Sequence, residues 1–300
     1  MADWRAAIGR VRKSYRDYFG REPRLARPRL YSEKMQWRKL FDLDPRYVVL
    51  SDKIAARDFI AAKIGADYLP KLLLVTDDPD NAPFETLEPP YVLKSSHGSG
   101  DAIRVTAASD INPMTRTILR RALARCHGTT YDEPGYVPVP RRILAERMIR
   151  NRDGTPPLER RLFVFNGTVR LLQTVVPEGK ALRSGGFHTR DWERLPWVGQ
   201  TRPFPAPMSR PARFDEMIAI AERLAEGFDH LRVDLYETDD RVYVGELTLY
   251  SWGGLMYFTT AEPDAVLGSY WTLHQPLKRA SVAMLLRERK IEPNGQRPSA

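Results

Sequence analysis

Residues 231–250 read LRVDLYETDDRVYVGELTLY, two runs of alternating character around a turn at Thr238-Asp239-Asp240. This pattern predicts a β-hairpin with strands over 231–236 and 242–249. Side chains two apart on a strand share a face. Glu246 and Thr248 therefore project together, and Arg232 stands two before Asp234 on the partner strand. Leu235, Val244, Leu247 and Leu249 supply the opposite face. Two carboxylates and a hydroxyl on adjacent strands suit a hard cation such as magnesium, which takes few protein carboxylates and completes its shell with water and phosphate oxygens. Arg232 would reach a phosphate held there. The competing reading is the solvent-facing side of an amphipathic hairpin.

Working outward, strands are expected at 161–165 and 168–175, joined by the Asn166-Gly167 turn, and a helix at 213–227 leads into the hairpin. Residues 176–212 are rich in Pro, Arg and Gly and are expected to form a long surface loop. Its Lys180, Arg183, His188 and Arg190 would suit an acidic sugar, or simply keep the loop solvated. After the hairpin, Ser251 and Gly253-Gly254 offer backbone N–H groups to a substrate carboxylate. Residues 291–300 read as a flexible tail.

The N-terminal half begins helically. Trp4, Ile8, Val11, Tyr15 and Phe19 mark an amphipathic helix over 2–19, packed on its own domain or lying on a partner or membrane surface. Helices follow over 32–41, with Ser32 as N-cap, and over 51–65, with Ser51-Asp52 as cap. Short strands are expected at 72–75, 91–93, 103–105 and 143–145, and a helix at 114–127. Lys94 closes the second strand. A lysine buried there costs several kcal/mol, of order ~2–7, unless an anion meets it. The segment SSHGSGD at 95–101 follows directly. Gly98 and Gly100 let the main chain approach a phosphate, and Ser96, His97 and Ser99 add donors, although most such turns are only turns. At 145–149, AERMI runs from strand into loop, where backbone groups and Glu146 would pair with an adenine edge.

Composition bounds the partners. The 300 residues are 42% hydrophobic, enough for a core in one large domain or two lobes. A net charge of +9 suits nucleotide phosphates or an acidic polymer. With no zinc spacing and no RNA-binding aromatic motif, nucleic acid is a weak second choice. The single Cys126 forms no internal disulfide, which fits a reducing compartment, and its neighbour His127 points elsewhere on a helix. The chain shows no signal-like apolar core and no apolar window of membrane-spanning length, so a cytoplasmic location is expected, with peripheral membrane contact left open.

Seven segments in this order, SEKMQWRKLF, LSDKIAARDFI, IGADYLPKLL, YVLKSSHGSG, ILAERMI, RLFVFNG and LRVDLYETDDRVYVGELTLY, resemble the ATP-grasp superfamily. The nearest likeness is to the TupA-like proteins of teichuronopeptide biosynthesis, over roughly 30–270. The resemblance implies an α+β fold in which two lobes with antiparallel sheets grip ATP behind a helical N-terminal extension. It divides the chain into a helical segment 1–50, an N-terminal lobe 51–145, a C-terminal lobe 146–290 and the tail. It also implies roles. Lys94, Lys53 and Arg57 would line the phosphates under the mobile loop 95–100. Glu146 and the backbone near Met148 would hold adenine. Asp234 and Glu246 would ligate one or two magnesium ions, and Arg232 would stabilise the transferring phosphoryl group. Two positions depart from the pattern: Thr248 replaces the usual Asn, and Arg161 stands where Lys is common. The implied activity is ATP- and magnesium-dependent joining of a carboxylate to an amine through an acyl phosphate, attaching an amino acid to a uronic acid or amino acid of a cell-surface polysaccharide. A kinase on the same fold, a non-catalytic polysaccharide- or nucleic-acid-binding protein, and a metal-dependent hydrolase are the alternatives.

Overall fold

The computed structural model describes residues 4–178, 181–199 and 201–274. Helix α1 (Trp4–Phe19) buries Ile8, Val11 and Tyr15, the face expected from its periodicity. Helix α2 (Tyr31–Phe41) begins one residue before Ser32, so Ser32 is not its cap. Instead the Ser32 amide and hydroxyl donate to Asp264 at 2.8 and 2.7 Å, and the Glu33 carboxylate accepts the Arg29 and Leu30 amides at 3.0 and 3.2 Å. The expected helix over 51–65 starts later, at Ala55, behind a separate short helix. Helix α3 (Arg46–Ser51) ends where the cap was expected, Asp52 accepts the Ile54 amide at 2.9 Å, and α4 (Ala55–Ile64) ends at Gly65.

Strands β1 (Leu72–Thr76), β2 (Tyr91–Ser95) and β3 (Ile103–Val105) follow. Next come α5 (Pro113–Ala124), capped by Asn112, the single turn α6 (His127–Thr130), and β4 (Ile143–Arg147). These strands make an antiparallel sheet of order β1-β4-β2-β3. Tyr91, Leu93, Ile143 and Ala145 pack against α5 residues Leu119 and Ala122 in one core. The alternate residues Val92, Lys94 and Glu146 are left on the other face.

The second sheet starts with β5 (Leu158–Phe165) and β6 (Thr168–Glu178). The segment read as a long loop then supplies β7 (Ala181–His188) and β8 (Arg194–Leu195). The loop expectation is thus corrected at 176–178, 181–188 and 194–195. Its composition argues for irregular backbone, but β6 presents an open edge whose hydrogen-bonding groups need partners, and β7 satisfies them. Gly185 is the extra residue of a bulge in that pairing, and a side chain there would strike Met208. Helix α7 (Phe214–Leu224) leads into β9 (His230–Glu237), β10 (Val242–Thr248) and α8 (Glu262–Tyr270). The sheet order is β10-β9-β5-β6-β7-β8.

The N-terminal helices belong to this second lobe. Tyr31, Met35, Tyr47, Leu50 and Ile60 share its core with Leu162, Val233, Leu235 and Met217. Arg38 fastens them. It is fully buried, ion-pairs with Asp229, donates to the carbonyls of His230 (2.9 Å) and Leu249 (3.2 Å), and lies over the Trp271 ring. Elements on both sides of the 50/51 boundary read from sequence therefore share one core. The expected tail at 291–300 lies outside the described residues. Among the described residues no helix is long and apolar enough to cross a membrane.

Candidate active site

The β9–β10 hairpin sets one wall. Val244 pairs with Leu235, but Glu246 pairs with Asp234 and Thr248 with Arg232, because a bulge at Gly245 shifts the register. The bulge resolves a parity conflict. Val244 is buried with Leu247 and Leu249, and Glu246, two residues after Val244, faces the opposite way. A side chain on Gly245 would run into the Tyr236 ring, so glycine is required by close approach. Arg232 donates through Nε and Nη2 to the two oxygens of Asp234, each at 2.7 Å, and through Nη2 to Thr248 Oγ1 at 3.0 Å. Burial works against the Arg232 charge, but Asp234 prevails and holds its pKa above the usual value.

The other wall is β2 with β4. Lys94 ion-pairs with Glu146, and Arg57 Nη1 lies 3.5 Å from the same carboxylate. Lys53 joins the walls: its ammonium donates to the Gly98 carbonyl and lies 3.9 Å from Glu246 Oε1. Burial lowers the Lys53 pKa, Glu246 opposes this, and the neighbouring Lys94 charge adds to it. Between the walls runs a cleft of about 990 Å³ lined by Lys53, Lys94, Glu146, Met148, Asp234 and Glu246. A smaller cavity of about 330 Å³ at the β7–β8 edge is lined by Ser184, Arg194 and Trp197 and has no carboxylate. The larger one carries the chemistry.

Not every residue expected at the site reaches it. Ser99 and Gly100 line the cleft, with Gly100 at φ 79°. Ser96 and His97 turn inward: Ser96 Oγ donates to the Pro140 carbonyl at 2.9 Å, and His97 Nε2 bonds to that of Ala122 at 3.2 Å. Burial lowers the His97 pKa, so it is neutral at pH 7 and does not face the anion position. Gly98 packs against Ser95, and its carbonyl takes Lys53. The Met148 amide is spent on the Pro90 carbonyl at 3.2 Å, so it is not free for a base edge. Arg57, Arg161, Arg232 and Thr248 are not among the residues that line the cleft. Thr248 accepts from Arg232, and Arg161 pairs with Glu159 at 2.7 Å.

The loop after β10 also differs from expectation. Ser251 is fully buried, and the Gly253 amide goes to the Tyr250 carbonyl at 2.9 Å. The Gly253 carbonyl takes Gln36 and Lys39 at 2.9 and 3.3 Å, and Gly254 packs on Gln36 and Met35. Of the four basic residues proposed for a sugar, the two with described side chains have partners elsewhere. Arg190 pairs with Glu222, and His188 is buried on Trp192. The Arg183 side chain and Lys180 lie outside the described residues. Cys126 and His127 form no dyad, since His127 Nε2 bonds Glu133 at 3.0 Å. The sequence reading missed Asp101 and Glu159, both of which line the cleft. Asp101 follows the glycine turn and Glu159 stands two before Arg161, a signal visible only once 158–160 is known to be strand.

The donor set fits magnesium in one respect. Among the described residues no three His, Cys, Asp or Glu side chains gather as a metal cage. Two register-paired carboxylates suit an ion that shares its shell with phosphate oxygens and water.

A family model described as TupA-like ATPgrasp matches residues 33–272. No curated protein matches. Among solved structures, D-alanine–D-alanine ligase from Bacillus anthracis is similar at TM-score 0.45 and 14% identity, over 81% of this chain and 69% of that one. The ADP complex of purK, N5-carboxyaminoimidazole ribonucleotide synthetase, gives 0.42 and 16% identity, over 67% and 45%. The ATP-grasp ligase PsnB complexed with minimal precursor gives 0.39 and 15% identity, over 68% and 54%. The chain thus spans about half the length of the purK and PsnB chains.

Proposed function

The chain belongs to the TupA-like ATP-grasp family, and from that premise we propose that it joins a carboxylate to an amine at the expense of ATP. The supporting observation is the convergence of Lys53, Lys94, Asp234 and Glu246 on one cleft, with Lys53 reaching both the glycine turn and Glu246. A triphosphate in the cleft meets ammonium groups from one wall and carboxylates from the other. Magnesium held by Asp234 and Glu246 supplies charge neutralisation at the phosphate oxygens.

The residues themselves act by placement and charge. On nucleotide binding, Lys94 exchanges Glu146 for phosphate, and Glu146 becomes free to accept from the adenine amine. Lys53 and Ser99–Gly100 close over the phosphates, and Arg57 and Arg161 add positive charge near them. Arg232, kept charged by Asp234, faces the negative charge that develops as a substrate carboxylate oxygen attacks the terminal phosphorus and ADP leaves. The amine nitrogen then attacks the acyl carbon, releasing phosphate and a proton. Thr248 serves the metal through Arg232 and Asp234 rather than as a direct ligand. The proposed substrates are an amino acid and a uronic acid or second amino acid of a cell-surface polysaccharide, in the cytoplasm.

The test is incubation with ATP, magnesium and a panel of amino acids and uronic acids, following ADP and amide by mass spectrometry. A ligase releases ADP only when carboxylate and amine are both present, whereas a kinase needs one acceptor. Absence of both turnover and any ATP-dependent thermal shift would falsify the reading.

A further inference from the structure

The turn after β10 has a backbone feature that the chemistry above does not use. Trp252 sits at φ 48°, ψ 30°, and Gly253 and Gly254 follow at φ 61° and 78°. A bulky side chain adopts this left-handed conformation only where its surroundings enforce it, and such strain gathers at functional sites. What the strained backbone delivers is an indole face. The guanidinium carbons of Arg161 and Arg232 lie 5.4 and 5.5 Å from the Trp252 ring centroid.

The two arginines stand on neighbouring strands, where Arg161 pairs with Asp234 and Arg232 with Phe163. They therefore share a sheet face, and their like charges repel. Each is fixed on one side only. Arg161 donates through Nε to Glu159, and Arg232 through Nε and Nη2 to Asp234 and Thr248. Both Nη groups of Arg161 and Nη1 of Arg232 have no hydrogen-bond acceptor among the described residues. An indole within reach of both attracts both cations. It draws them together without consuming the N–H groups that would grip an oxyanion.

We propose that Trp252 is a positioning residue that sets Arg161 and Arg232 as a paired guanidinium receptor for a phosphoryl or carboxylate oxyanion. The reading deepens the ligase proposal and rests on it for the identity of the oxyanion. Leu and Phe at position 252 share the backbone strain and the apolar bulk, but only Phe keeps a ring face. The test measures inorganic tripolyphosphate affinity without turnover, and kcat and KM for ATP from ADP release. Trp252→Leu should weaken tripolyphosphate about tenfold and lower kcat/KM for ATP about 30-fold, and Trp252→Phe should recover most of both. Equal behaviour of Leu and Phe, or wild-type tripolyphosphate affinity in Trp252→Leu, overturns the proposal. If Trp252→Leu does not fold, Arg161→Gln decides it: tripolyphosphate must weaken comparably, and unchanged affinity overturns it. A wild type that releases no ADP sinks the ligase reading but leaves the tripolyphosphate comparison able to decide this one.

Discussion

The two walls of the cleft are built differently. On the six-stranded side, Arg232, Asp234 and Thr248 are 7%, 3% and 8% exposed and locked by three mutual hydrogen bonds. On the four-stranded side, the Lys94 and Glu146 side chains are 15% and 12% exposed and hold each other through one ion pair, with Arg57 at its edge. Charges buried as deeply as Arg232 and Asp234 are tolerated only when paired and hydrogen-bonded, so that wall is set before a ligand arrives. The other wall is a switchable contact. Lys94 and Glu146 both line the cleft, so a phosphate entering it can replace Glu146 on Lys94 without leaving that charge unpaired. The comparison assigns preorganised charge to the large sheet and exchange of partners to the small one.

The sharpest break is at the fixed wall. Glu246→Gln should lower ADP formation about 1000-fold while leaving the melting temperature near wild type, since the Glu246 side chain is 30% exposed and carries no core packing. A variant that still turns over would reduce this wall to an ordinary strand surface. Next comes the exchanging wall. Lys94→Met should cost about 100-fold in rate and abolish the thermal shift with ATP, whereas Glu146→Gln should cost about tenfold, mostly in KM. Equal effects of the two would mean that Glu146 does not trade places with phosphate.

Gly245→Ala probes how the fixed wall is aimed. Its methyl group meets the Tyr236 ring, so unfolding should become easier by about 1–3 kcal/mol, with a matching drop in melting temperature, and Tyr236→Ala in the same chain should restore part of it. The smallest effect concerns pH. Burial, reinforced by Arg160 and Arg194, pushes His188 down from 6.5 to about 4. Burial with Arg38 pushes His230 down to about 3. The unfolded chain takes up these protons near 6.5 and the folded chain does not, so stability falls as pH drops from 6.5 toward 4. Both histidines belong to the six-stranded half. Melting curves from pH 7 to 4.5 should show the loss, and His188→Asn should flatten it. An unchanged slope in that variant would place the acid sensitivity elsewhere.

The parts of this architecture legible in sequence were those coded by neighbours in the chain. The hairpin at 231–250, the lysine that ends β2 and the glycine turn after it were readable because alternation and turn chemistry are local. The β7 strand was not readable. It lies in a Pro-, Arg- and Gly-rich segment that argues for a loop, and only the unpaired edge of β6 makes it a strand. His97 was misassigned for a similar reason: a histidine in a glycine turn offers a donor, but its ring turns toward the Ala122 carbonyl of α5, which the turn itself does not encode.

Residue order alone determined the residues that share a face where a strand runs unbroken, as Arg232 with Asp234 and Glu246 with Thr248 do. Only the folded chain decided their partners. The Gly245 bulge reversed the facing of Glu246 relative to Val244, and Lys53 spanned two sheets to reach it. The Lys53 contact depends on packing between segments far apart in the chain, where alternation and turn chemistry carry no information, and the bulge on the close approach of Gly245 to the Tyr236 ring.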